Sequence, residues 1–131
     1  MIYLLATDTC IAVLRKHSAA LARLQSLSPD DCGISSITAF ELFAGAEKAR
    51  DSQAERAKIE QFFSVVDVLH FDETTAAQAA AVRARLEKVG TPIGPYDLLI
   101  AGHALALGVT LATGNTDEFK RVQGLRIEKW I

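Results

Sequence analysis

Ile2-Tyr3-Leu4-Leu5 is a short apolar run with no polar alternation, the pattern of a strand covered on both faces in a parallel sheet. Three further runs read as strands: Cys32-Gly33-Ile34-Ser35, Val65 to Phe71, and Val109-Thr110-Leu111-Ala112. Leu125-Arg126-Ile127 reads as a last strand at an edge. Helical stretches separate these runs and hairpin signals are few. That alternation predicts an α/β fold with a short, mainly parallel sheet and helices on both faces. In such sheets ligands bind beyond the carboxyl ends of the strands.

The helices have recognisable punctuation. Thr7 or Asp8 can cap the first, which carries Ile11, Val13 and Leu14, and a second piece near Ala19 to Leu27 ends at Ser28-Pro29-Asp30-Asp31. Ser35 or Ser36 can cap the next, which presents Ile37, Phe40 and Phe43 on one side and Glu41 in its second turn. Asp51 to about Phe63 is charge-rich, so Glu55, Arg56, Lys58 and Glu60 are expected on a solvated face. Asp72 and Thr74 can cap an Ala-rich helix from about Thr75 to Lys88, and His70 before it is expected to be a hydrogen-bonded structural residue. Gly90 to Pro95 is the one Gly/Pro-dense loop. It ends with Pro95 at a first helical position, which puts Asp97 in the opening turn of an otherwise apolar helix that stops at Gly108.

At 131 residues and half hydrophobic, the chain has room for one domain, residues 1–131, with a substantial core. Its formal charge of −2 supplies no global field for nucleic acid, so any such binding depends on local basic faces. Cys10 and Cys32 lie in apolar segments and are expected as small core residues. Two Cys and three widely spaced His make no zinc pattern. Ile2 to Leu5 is too short for a secretory h-region, and no apolar run reaches the roughly 20 residues of a membrane span, so a reduced, cytoplasmic location is expected.

Three polar stations follow strands: Ala6-Thr7-Asp8, Ser35 to Glu41, and Asn115 to Asp117. Asp97 joins them if its helix begins at the same edge. Carboxylates gathered in one cleft repel one another unless protons or cations neutralise them. Oxygen donors without clustered His or Cys select hard cations, Mg²⁺ or Mn²⁺, and such ions suit phosphodiester hydrolysis.

Four segments then carry a resemblance to the PIN domain of VapC type, the ribonuclease toxin of bacterial toxin–antitoxin pairs. They are Leu4 to Ile11, Ile34 to Leu42, Ile93 to Ala101, and Thr113 to Phe119 followed by Val122, Gly124-Leu125 and Trp130. The resemblance runs almost from end to end and implies a PIN-like single domain. Its second and third acidic positions fall on Glu41 and Asp97, and its fourth on Asn115, with Asp117 as a nearby substitute. The first acidic position is Ala6, and a methyl group cannot ligate a cation. Either a substitution has silenced the nuclease or the chain is a natural pseudoenzyme. The site implied is thus Ala6, Glu41, Asp97 and Asn115 or Asp117, with Ala6, Glu41 and Asp97 at the metal positions.

The resemblance further implies a Mg²⁺-dependent endoribonuclease (Mn²⁺ being possible) that cleaves tRNA at the anticodon stem-loop of initiator tRNA. It implies a homodimer neutralised by a VapB-type antitoxin, with DNA contacted only through that antitoxin. Lys48 and Arg50, and Arg83, Arg85 and Lys88, are the candidate RNA-binding groups. Leu21, Leu24, Phe40, Phe43 and Phe62 are expected in the core first and at an interface second. The alternative function is a non-catalytic PIN-fold module that binds RNA or protein.

Overall fold

A computed structural model describes residues 1–131. Five strands, β1 (Tyr3–Leu5), β2 (Cys32–Ser35), β3 (Asp67–Leu69), β4 (Thr110–Ala112) and β5 (Ile127–Glu128), form one sheet in the order β3-β2-β1-β4-β5. Every neighbouring pair is parallel, with Leu4 opposite Gly33 on one side and Leu111 on the other. The order reverses direction at β1, so the crevice between the ends of β1 and β4 is the topological switch point at which such sheets bind ligands.

Seven helices cover the sheet: α1 (Thr7–Leu14), α2 (Ser18–Gln25), α3 (Ser36–Glu47), α4 (Ser52–Phe63), α5 (Glu73–Lys88), α6 (Pro95–Leu107) and α7 (Thr116–Phe119). Successive side chains of a strand point to opposite faces. Leu5 accordingly joins Cys10, Val13, Ile34, Leu42 and Phe62 on one face, and Leu4 joins Val82, Leu86, Ile100, Ala104 and Leu111 on the other. Two cores on two faces explain why β1 shows no polar alternation.

The expected elements form, with shifted ends. β3 is shorter than Val65 to Phe71, and β5 starts at Ile127 rather than Leu125. Neither Thr7 nor Asp8 caps α1: the N-cap is Ala6, which offers no side-chain acceptor. Both polar side chains are engaged elsewhere, as described below. Ser35 caps α3 by accepting from Ile37 N–H, and Asp72 caps α5 by accepting from Thr75 N–H. His70 lies exposed just past β3; the buried, hydrogen-bonded histidine is His103, whose Nδ1 is 2.8 Å from Ser35 Oγ. Cys10 and Cys32 are buried and unpaired, and burial raises both thiols, Cys32 to about 11. The α4 charges form the exposed pairs Arg56–Glu60 and Lys58–Glu55. Phe62 is buried and Leu21, Leu24 and Phe43 are half-buried, but Phe40 is exposed, contrary to the core expectation. No helix is long and apolar enough to cross a membrane.

The direction of α6 is set by its packing against α5 and by its stop at Gly108, whose φ of 68° is the left-handed conformation favoured by glycine. At Gly102 of α6 an added Cβ would lie 2.6 Å from Ala79 Cα on α5, so backbone rather than a flexible side chain blocks it. Gly102→Ala is therefore expected to destabilise the fold by about 1–3 kcal/mol, despite alanine's better helix propensity. Urea unfolding measures this, and an unchanged or raised midpoint would contradict the packing described.

Candidate active site

The site is built at the carboxyl edge of the sheet from the ends of β1 and β4 and the starts of α1, α3, α6 and α7. Ala6 links β1 to α1; its N–H donates to Ala112 C=O at 2.9 Å, and its side chain is 2% exposed. One residue on, Thr7 Oγ1 donates to Glu41 Oε1 at 2.7 Å and lies 3.1 Å from Thr38 Oγ1, which ties the start of α1 to α3. Asp8 bridges the switch point. Its carboxylate accepts from Gly114 N–H at 2.8 Å and from Thr113 Oγ1 at 3.2 Å, both just past β4, and from Thr9 N–H at 2.8 Å.

The third wall is α6, whose N-terminus does begin at this edge. Glu118 on α7 accepts from Gly94 N–H, the residue before α6, at 2.6 Å, and from Asn115 Nδ2 at 2.8 Å. The Gly94 N–H, with Asn115, Arg121 and Asp97 adding to it, holds the Glu118 carboxyl below its ordinary value against the opposing effect of desolvation. Asp97 moves the other way. Burial, and after it the negative charges of Glu118, Glu41 and Asp8, push its carboxyl from 3.8 up to about 6. Four carboxylates from four elements thus share one electrostatic neighbourhood, with Asp97 as the member that holds a proton most readily.

Asp97 lies within electrostatic reach of Glu118, Glu41 and Asp8, because its helix begins at the edge where the three polar stations lie. Asn115 is at the edge of the group, bonded to Glu118. Asp117 is turned outward and paired with Lys120 at 3.3 Å, its side chain 91% exposed. The acid that α7 delivers is Glu118, which the sequence reading passed over. The Asn115-x-x-Glu118 spacing, which puts both on one face of a helical turn, was the available signal. Lys48 and Arg50 lie exposed between α3 and α4, and Arg83, Arg85 and Lys88 lie exposed on α5, with Arg83 paired to Glu87. A groove of about 570 Å³ runs from Glu41 between α1, α3 and α4, and Arg15, Lys16 and Lys58 line it. Of these, Lys58 reads in the sequence only as part of a solvated face, and Arg15 and Lys16 carry no sequence signal of their own.

The donor chemistry suits a hard divalent cation: the candidate donors are all oxygen, and burial, with the neighbouring negative charges after it, raises Asp97. No three acidic, His or Cys side chains are preassembled as a metal cage. Mg²⁺ does not require one, because it keeps several waters and uses one or two carboxylates. Glu41 and Asp97 are two carboxylates at this edge, and Ala6 carries no donor atom.

A PIN-domain family model matches residues 3–125. The chain is 41% identical over 128 residues to the tRNA(fMet)-specific endonuclease VapC of Shigella flexneri, covering 98% of this chain and 97% of that protein. It is 36% identical to Ribonuclease VapC2 of Rickettsia felis over 99% of this chain and 98% of that one. Among solved structures, the DNA-bound VapBC of Salmonella typhimurium superposes with a TM-score of 0.95 at 39% identity, covering 100% of this chain and 99% of that chain.

The raised Asp97 carboxyl has a consequence for stability. Its folded value lies above the unfolded one, so the folded chain keeps a proton that the unfolded chain has released. The folded state therefore loses stability as pH rises from about 4 through about 6, and the penalty is complete above that window. In the absence of divalent cations, Asp97→Asn is expected to raise stability at pH 7.5 by on the order of 1 kcal/mol, a figure already discounted for solvent screening. The gain should fade toward pH 4. Thermal unfolding across that range is the check, and a pH-independent gain would contradict the electrostatic origin.

Proposed function

Because the chain belongs to the VapC branch of the PIN-domain family, we propose that it is the toxin of a type II toxin–antitoxin pair whose scaffold is a metal-dependent endoribonuclease, with catalysis impaired at Ala6. The observation that supports this most is the convergence of Glu41, Asp97, Asp8 and Glu118 at the switch-point edge, with Ala6 at the junction where β1 enters the same edge. Glu41 and Asp97 would hold Mg²⁺ or Mn²⁺. When bound, such an ion supplies an activated water and neutralises charge developing on the scissile phosphate.

The chain's own groups prepare that site. Thr7 fixes Glu41 by donating to one of its oxygens, leaving the other free. Asp8 keeps the ends of β1 and β4 together through Gly114 and Thr113. Asp97, with its carboxyl pushed up to about 6, takes up and releases a proton just below neutral pH, and a bound cation would favour its ionised form. Ala6 fits this reading as the missing acid: an alanine N-cap forgoes about 0.5–2 kcal/mol relative to Asp, Asn or Ser. An aspartate there would cap α1 and add the oxygen that the site lacks.

The substrate proposed is tRNA, specifically the anticodon stem-loop of initiator tRNA, in keeping with the Shigella relative's name. With a chain charge of −2, binding would rest on local cations: Lys48 and Arg50, Arg83, Arg85 and Lys88, and Arg15, Lys16 and Lys58 along the groove. The antitoxin would occupy the apolar trough of about 890 Å³ between α1, α2 and α4, where Leu14, Leu21, Leu24, Leu27 and Val65 await an apolar helix. A homodimer, cytoplasmic residence and DNA contact through the antitoxin alone complete the proposal. Ala6 also favours a second reading, a PIN-fold module that binds RNA or protein without cutting.

Cleavage of a tRNA pool in Mg²⁺ or Mn²⁺ separates the two. The chain as it stands should be nearly inactive, and Ala6→Asp should raise the rate by roughly 10²-fold or more, with Asp97→Asn abolishing the gain. Strong cleavage by the Ala6 chain would show that position 6 is not a ligand position. No cleavage by the folded, metal-binding Ala6→Asp protein would favour the binding module. A separate expectation concerns affinity: charge reversal at Lys48 with Arg50, or at Arg83, Arg85 and Lys88, should weaken tRNA binding and flatten its salt dependence. Unchanged affinity and slope after both would remove those groups from the interface.

A further inference from the structure

Phe40 and Tyr96 stand out once the core is assigned. They are 54% and 45% exposed, and they are the two aromatics among the exposed large hydrophobic side chains. The rest of the aromatic set is buried or half-buried. The two rings touch, with centroids 5.6 Å apart and planes tilted by 52°. They come from different helices, α3 and α6, and each is the chain neighbour of a site carboxylate: Phe40 precedes Glu41, and Tyr96 precedes Asp97. Pro95 at the first position of α6 holds the Tyr96 backbone at a fixed place on the rim.

We propose that Phe40 and Tyr96 form a platform on which an unpaired nucleobase of the RNA stacks while the adjoining phosphodiester lies among Glu41, Asp97 and Asp8. The inference rests on the ribonuclease reading above and adds a specificity-bearing contact to it. A cleft rich in carboxylates repels a phosphate backbone, so beside the acids a contact that does not depend on charge adds affinity that the groove's cations do not. Stacking provides it, because every base has a π-face and the attraction survives salt. A second copy of the chain suits the platform less well. Two-fold contact through this patch would set one acidic rim against the same rim of its partner.

The Ala6 chain allows binding to be read apart from cleavage. Fluorescence anisotropy with the anticodon stem-loop of initiator tRNA, over a range of salt, compares the chain with Phe40→Ala, Phe40→Leu, Phe40→Trp and Tyr96→Ala. The variants are first checked for folding by circular dichroism and for mass by light scattering. Phe40→Ala, Phe40→Leu and Tyr96→Ala should each weaken binding by roughly tenfold with the salt slope unchanged. Phe40→Trp should retain affinity and show emission quenched by RNA. Full affinity in Phe40→Leu would overturn the platform, since leucine keeps the apolar area and loses the π-face. So would a loss explained by a change from dimer to monomer. RNA binding that all variants share equally would overturn the platform and leave the ribonuclease reading standing, whereas no binding by any of them would overturn both.

Discussion

The structure depends on holding like charges together. A parallel sheet whose strand order reverses at β1 sends the ends of β1, β2 and β4 toward one edge, where α1, α3 and α7 begin and to which the Gly/Pro loop after α5 brings the start of α6. Their first turns carry free N–H groups, which favour acidic residues, so Asp8, Asp97 and Glu118 gather for a local reason as well as a functional one. The cost of gathering them appears at Asp97, the group that burial and three neighbouring carboxylates drive to about 6. Glu118 escapes that cost because Gly94 N–H and Asn115 Nδ2 donate to it. The arrangement is relieved by a proton on Asp97 or by a cation among the oxygens, and at neutral pH a cation is the more effective neutraliser.

Ala6 serves the scaffold through its backbone and its methyl group. Its backbone still closes the sheet through Ala112 and begins α1 through Cys10. Its methyl joins the apolar cluster that includes Leu4, Ile100 and Leu111. An aspartate at this position would be nearly buried beside other acids, a costly placement unless an ion accompanies it.

Much of the fold was legible because the pattern of a strand buried on both faces is unambiguous once helices alternate with it. Leu4 and Leu5 lie in opposite cores, as their lack of polar alternation implied. The placement of Glu41 and Asp97 near the sheet's carboxyl edge was legible as well, each from its position after a strand or a Gly/Pro loop. What was not legible came from tertiary competition for polar side chains. Thr7 and Asp8 look like caps of α1, yet Glu41 and the β4 loop take them first. Asp117 and Glu118 are adjacent acids in one short helix, and only the approach of Gly94 shows which faces the site. Phe40 sits on a helical face that reads as core, and only the arrangement of α3 against α6 leaves it in solvent beside Tyr96.

The central claim is that these carboxylates form one electrostatic unit suited to a divalent cation. A carbon-detected NMR titration of the Asp97 carboxyl, without and with millimolar Mg²⁺, tests it most directly, in the Ala6 chain and in Ala6→Asp. The account predicts titration near 6 without the ion and a clear downward shift with it, reached at lower Mg²⁺ in Ala6→Asp. An Asp97 that titrates near 3.8, or one that ignores Mg²⁺ in both proteins, would contradict it.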